Sequence, residues 1–392
     1  MNRTWRHRCA LTGVAVALLT ATGFAAVGDL EYAKSPPAGR GLYVRFNQPV
    51  KIEDAGKLEQ LGAAEAVVAE GTGGGIKVIA AAIRTKAGAK DYEAIRLDLT
   101  GKGNFQDAPT MALKTARRTS TLYYATIEPG QAMVKKGGLD IPVTVGGYYY
   151  ESKGRPRMYL RLSAAAEGSC AFGKTTRRVR IIDTTGSLGF GDGAGSRVDT
   201  VQVADGEGRF PAVTFSAGTM LGQPVQIGRR WYVVKVADMK VSARPLKAPL
   251  GKVAGNGDNW QLVLTGKKYR ITVDGGAKAV PVPADTYRVM RCIYLRPAQG
   301  DKATPAVLSY PRSSLEIAEG ETASVKMGLP MKATMSAKVS QGKVTFSVKR
   351  TDAAGHRVIG VVNPAGQRPD PPAIDVVDKT GKVVYTAKLE YG

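Results

Sequence analysis

The chain has 392 residues, 43% of them hydrophobic, so it can bury substantial cores and is too apolar for an intrinsically disordered protein. Its 56 Lys and Arg against 33 Asp and Glu leave a formal charge of +23, a field that favours acidic partners. Two histidines and three cysteines exclude a His-rich metal site and a disulfide-stapled miniature scaffold.

In chain order, the first 25 residues have the layout of a secretory signal peptide. Arg3, Arg6 and Arg8 precede an apolar run from Ala10 to Thr22 that is too short to span a bilayer, and Gly23-Phe24-Ala25 offers a cleavage site. Cys9 precedes the run and is not placed for lipidation. The expected mature chain begins near Ala26, carries +20, and is secreted, periplasmic or on the cell surface. Its remaining length of about 367 residues suits two to four domains.

Beyond that point the periodicity is two. Arg229–Val236, Tyr269–Val273 and Lys343–Lys349 alternate, and Gly-rich turns separate them, as in antiparallel sheets. Only Ala55–Val68 reads as helical, weakened by Gly56 and Gly62. The predicted fold is all-β: tandem antiparallel β-sandwich or small-barrel modules. The expected division is 1–25 signal peptide, 26–160 first module, 161–247 second module, 248–318 a shorter third and 319–392 an Ig-like fourth. Joints are expected at 243–259 and 297–305, with a Pro-rich loop at 363–372 before a closing hairpin of 374–377 and 383–385.

An internal repeat ties the first two modules. Asp98-Leu-Thr100-Gly101 with Phe105 and Asp107 aligns on Asp183-Thr-Thr185-Gly186 with Phe190 and Asp192. Leu139–Gly146 aligns on Leu221–Gly228, each followed by aromatics, Tyr148-Tyr149-Tyr150 and Trp231-Tyr232. Aspartic proteases use Asp-Thr/Ser-Gly, one residue shorter, so the extra residue breaks the required dyad. Asp98, Asp107, Asp183 and Asp192 are calcium candidates, though the ligand charge is low and Lys102 stands where a carboxylate is wanted. The plainer reading is that each Asp caps a turn while Phe105 and Phe190 plug the core beneath. No other cofactor is expected.

Gly168–Thr175 fits the P-loop pattern, but alternating Arg177–Ile182 follows where a helix is required. Ser340-Gln-Gly-Lys343 echoes a penicillin-recognising Ser-x-x-Lys but sits on a turn. Arg229, Arg230, Trp231 and Tyr232 are ligand-binding candidates, a cationic and aromatic strip that stacks rings and holds anions, unless Trp231 is a core residue. Cys170 and Cys292 are either a disulfide or two buried thiols. His356 lies in a turn, Asp352–Arg357, and reads as solvated.

Val280-Pro-Val-Pro-Ala-Asp285-Thr-Tyr287 resembles a strand of transthyretin-like, carboxypeptidase-regulatory-type sandwiches, which carry Gly where Asp285 stands. The paired Asp-x-Thr-Gly segments, Arg230-Trp231-Tyr232 and the terminal Leu389-Glu-Tyr-Gly392 resemble secreted multi-β-domain proteins of planctomycete type, a likeness that implies no activity. The expected role is that of an exported non-enzymatic structural, adhesive or binding protein of the cell envelope. It would engage an acidic glycan or envelope polymer through a basic β-surface, with nucleic acid disfavoured. The alternatives are a polysaccharide hydrolase using paired carboxylates and a calcium-stiffened spacer.

Overall fold

A computed structural model describes residues 27–37, 42–73, 76–119, 122–153, 155–191, 193–194, 197–210, 218–257, 259–295, 306–328, 330–341, 343–362, 370–371 and 373–388. The expected signal peptide lies outside the described residues. The protein is all-β, with antiparallel sheets and, among the described residues, one short helix. It divides into two compact units, one of residues 1–223 and 232–246, the other of 224–231 and 247–392.

The first unit contains a closed barrel. A nine-stranded sheet runs as a meander from Glu65–Gly73 through Ile76–Arg84, Ala94–Asp98, Thr110–Arg118, Leu122–Lys136, Leu139–Ser152 and Arg155–Ser163. Leu42–Phe46 then pairs with Arg155–Ser163 on one side and Glu65–Gly73 on the other, which closes a ring of eight, and Val50–Lys51 is an outrigger. Alternation aims one side of each strand inward: Tyr123, Ala125 and Ile127 are buried, while Leu122, Tyr124 and Thr126 face out. Eight strands enclose a space that side chains fill, and here Val78, Leu97, Val134, Val143, Tyr149 and Leu160 fill it. The long strands bend where Glu128–Pro129 bulge opposite Gly146, next to Gly147. Gly147 has φ +140°, and a Cβ there would lie 2.0 Å from the Tyr159 carbonyl oxygen, so this crossing requires glycine.

Ile76–Arg84 is buried on both faces because the helix Ala55–Leu61 covers its outside. Asp54 caps the helix start by accepting from the Lys57 amide. Gly62, at φ 60°, ends it, and the chain turns at once into the strand Glu65–Gly73. The helix expected to Val68 is therefore seven residues long, because a left-handed glycine stops it and Ala66 to Val68 alternate into the sheet.

A second sheet of this unit runs in the order Thr219–Met220, Thr200–Val203, Thr175–Ile182, Ala165–Phe172, Gly28–Tyr32, Lys240–Pro245 and Arg230–Ala237. Gly28–Tyr32, expected in the first module, thus pairs with Ala165–Phe172 and Lys240–Val241 of the second. The loop after Ile182 lends Leu188 to the barrel core, and Phe190 packs there on Tyr32 with ring centroids 5.5 Å apart.

In the second unit, a three-stranded sheet orders Val280–Pro283, Leu250–Gly255 and Thr322–Val325, the last pair parallel. A larger sheet orders Arg270–Gly275, Trp260–Gly266, Asp285–Leu295, Ala306–Ser309 and Val358–Val362, with Ser314–Ile317 also on Asp285–Leu295. Strands from both sides of the expected 318/319 boundary share these sheets, so residues 248–362 interleave. Leu250–Gly255 occupies part of the expected joint at 243–259. Two hairpins stand apart as separate two-stranded sheets, Lys332–Ser340 with Lys343–Thr351 and Ala373–Val377 with Val383–Lys388. The expected joint at 297–305 and most of the expected loop at 363–372 lie outside the described residues.

Candidate functional site

The outer face of the barrel carries an aromatic and cationic array. Antiparallel register places Arg117, Tyr124, Tyr150 and Arg157 in one row across four strands. The next row is Lys114, Thr126, Tyr148 and Tyr159. Arg155 and Arg161 extend it along the last strand, and none of these positions holds a carboxylate. Neighbouring strands are about 4.8 Å apart, so a row spans roughly 14 Å.

The four tyrosines are half-buried and contact one another. Tyr148 and Tyr159 stack with centroids 4.7 Å apart and planes 24° apart, and Tyr150 and Tyr159 are 6.0 Å apart and 10° from parallel. Tyr124 leans on Tyr148 at 5.4 Å. Cross-strand aromatic pairs of this kind hold each other in fixed rotamers and present flat, ordered π-faces. Arg157 is exposed beside them, and the Tyr159 hydroxyl, with Tyr150 close by, holds its guanidinium above the ordinary range. Next to Arg155, Arg157, Tyr148 and Tyr159 opens a cleft of about 810 Å³, walled opposite by Phe46 and Asn47. Among the described residues, its lining has no carboxylate. Directed rings and fixed cations can stack an apolar ring face and pair with an anionic substituent at one place.

The strip expected to bind ligand is placed otherwise. Trp231 is buried and donates from Nε1 to the Pro281 carbonyl at 2.7 Å. Tyr232 is buried edge-on against Phe172. Arg229 and Arg230 are exposed, and Arg229 donates to the Ala279 carbonyl. The aromatic half is spent on packing, because this strand is buried on both sides from Trp231 to Val234.

The Asp-x-Thr-Gly turns share one design. The buried Asp98 carboxylate accepts from the Thr100 amide and hydroxyl, the Gly101 amide and the Gly103 amide at 2.6–3.2 Å. Buried Asp183 accepts from the Thr185 hydroxyl and the Gly186 and Leu188 amides at 2.7–2.9 Å. Burial pulls Asp98 toward protonation, but the Thr100 hydroxyl and the three amides outweigh it and hold the carboxyl below its usual range. A carboxylate ringed by N–H and O–H donors has its lone pairs already engaged and its charge offset by the hydrogens aimed at it, the opposite of a cation site. Asp107 is exposed and Asp192 lies outside the described residues. Among the described residues no three metal-binding side chains gather. Phe105 is buried under the first turn, against Ile79 and Leu61. The likeness between the two halves is local, since one closes into a barrel and the other lies in an open sheet.

The cysteines do not form the disulfide that was one of their two readings. Cys170 and Cys292 are free thiols buried in the cores of different units, and burial pushes each up to about 12. A thiol so raised is no nucleophile at neutral pH. Gly168–Thr175 is a hairpin of Ala165–Phe172 and Thr175–Ile182, without a P-loop helix. Ser340 and Lys343 flank another hairpin turn.

One cluster was not legible in the sequence. Asp352, 1% exposed, accepts from the Ser309 hydroxyl at 2.9 Å and meets His356 Nδ1 at 3.1 Å through the same oxygen. His356 is thus partly buried and paired, not solvated. The order is wrong for nucleophilic catalysis: the serine donates to the aspartate, whereas a triad needs the histidine between them. No family model matches the chain, and no curated protein or solved structure shows significant similarity to it.

Proposed function

We propose that the protein is a non-enzymatic binding protein for acidic polysaccharide, and that the tyrosine–arginine face of the barrel makes the contact. The observation that carries this reading is the row Arg117, Tyr124, Tyr150, Arg157 beside stacked Tyr148 and Tyr159. Pyranose faces would lie on the rings, and uronate or sulfate groups would meet the guanidinium groups, where planar bidentate pairing is strongest. The reading places the protein outside the cytoplasm, in line with the expected signal peptide.

The test is retention on immobilised acidic and neutral polysaccharides across a salt series. Acidic polymers are expected to retain the protein at low salt and release it as charges are screened. Tyr159→Ala and Arg157→Ala are each expected to weaken retention about tenfold, near 1.4 kcal/mol. Both sites are on the surface, so folding serves as a control. Equal retention of these variants, or preference for single-stranded DNA over every glycan, would overturn the proposal.

A further inference from the structure

The hairpin Lys332–Ser340 with Lys343–Thr351 forms a sheet of its own; among the described residues its strands pair further only through a single bridge from Thr351 to Arg357 at the base. Two-stranded hairpins are marginal in water unless something covers a face. Its register sorts the side chains, with one cation, Arg350 opposite Ala333, at the base of the apolar face. Met335 opposes Val348, Ala337 opposes Phe346, and Val339 opposes Val344. The reverse face pairs Thr334 with Lys349, Ser336 with Ser347, Lys338 with Thr345 and Ser340 with Lys343. The apolar face is open to solvent: Val339 is 72% exposed, Met335 57% and Val344 52%. Isolated exposed apolar side chains are ordinary, but a continuous stripe of them marks a contact surface.

Charge distinguishes among the surfaces that could cover it. Residues 332–351 contain Lys332, Lys338, Lys343, Lys349 and Arg350 and no carboxylate. A second copy of the same hairpin would cover the apolar stripe but leave the lysines of the reverse face without counter-charges. A soluble acidic polymer would satisfy the lysines and leave the apolar stripe in water. One surface meets both needs, a bilayer with anionic headgroups. It takes the apolar stripe at the acyl boundary while the long lysine stems reach the phosphates. Strands of nine residues give about 30 Å of contact length.

We propose that this hairpin is a docking element for anionic lipid, lying flat with Met335, Val339, Val344 and Phe346 toward the acyl chains. The proposal is independent of the barrel face. The test is co-sedimentation of the full chain with vesicles of phosphatidylcholine alone or mixed with phosphatidylglycerol. Binding is expected to the mixed vesicles and not to phosphatidylcholine. Lys338→Ser with Lys343→Ser should weaken it roughly 30-fold. Val339→Asp with Val344→Asp should abolish it, while retention on acidic polysaccharide persists. Tyr159→Ala should leave vesicle binding unchanged. Because the substituted side chains are solvent-exposed, circular dichroism melting should show the folded state intact. Failure to bind mixed vesicles, or undiminished binding by the double aspartate variant, would overturn the proposal. So would a wild-type dimer in sedimentation equilibrium that the double aspartate variant dissolves.

Discussion

At Asp98 four hydrogen bonds converge on one buried carboxylate, and every donor comes from the next five residues. The turn is therefore self-sufficient. It fixes the exit of the strand Ala94–Asp98 and seats Phe105 against the helix. Arg96 adds to this by donating to the Gln60 and Phe105 carbonyls at 2.8 and 2.7 Å. Because the folded pKa lies below the unfolded value of about 3.9, the carboxylate contributes stability above that pH and loses it as pH falls through the folded value. Asp98→Asn should cost about 2–3 kcal/mol at neutral pH, since an amide cannot accept at both positions. In urea unfolding followed against pH, the gap from wild type should close below about pH 3.9. A gap that stays constant with pH would show that the charge contributes nothing. The same motif recurs on the exposed hairpin turn at Asp378, which accepts from the Thr380 amide and hydroxyl and the Lys382 amide.

Among the elements, the strands of the second unit depend on how closely two of them approach Trp260. Its ring is 1% exposed and donates from Nε1 to the Gly276 carbonyl at 3.1 Å. A Cβ at Gly275 would lie 2.0 Å from the ring. Gly275→Ala should thus destabilise this unit by about 1–3 kcal/mol, by the overpacking penalty of a filled core, with tryptophan emission in denaturant as the readout. An unchanged midpoint would mean that the ring shifts without cost. Alternation is what made the strands readable, because each residue pair tells which face is wet. It makes Lys343–Lys349 legible as a strand in the sequence itself. It could not tell that Arg157 lies beside Tyr150, or Arg117 beside Tyr124, since neighbouring strands are chosen by topology. Tyr148-Tyr149-Tyr150 was visible as an aromatic run, yet its division into one core ring and two surface rings waits on the barrel. Arg230-Trp231-Tyr232 misleads for the matching reason: both faces of its strand are covered, so period two loses its meaning.

For the molecule as a whole, charge has two opposed consequences. A formal +23 repels itself, so the folded state gains when salt screens it. Raising ionic strength from about 0.01 to about 0.15 M should increase the melting temperature while releasing the protein from acidic polymer. A melting temperature that falls with salt would instead mean that paired charges dominate. The expected four modules were drawn from spacing along the chain. Sheets are assembled from strands far apart in it, so Gly28–Tyr32 and Thr322–Val325 cross boundaries that the repeat and the loop-rich joints suggested.

The ring of eight has one seam that depends on distant residues, the pairing of Leu42–Phe46 with Arg155–Ser163. Every other strand in it meets its predecessor across a turn or a modest loop, save that the same first strand must also reach Thr72. Until the segment beginning at Arg155 has been synthesised, the growing chain carries open strand edges beside a half-built greasy interior. A shortened product ending in the tyrosine run would keep those edges for good and would stick to its own kind. The binding face and the seam share the strand Arg155–Ser163, so the surface that would recognise a ligand exists only in molecules that have finished closing.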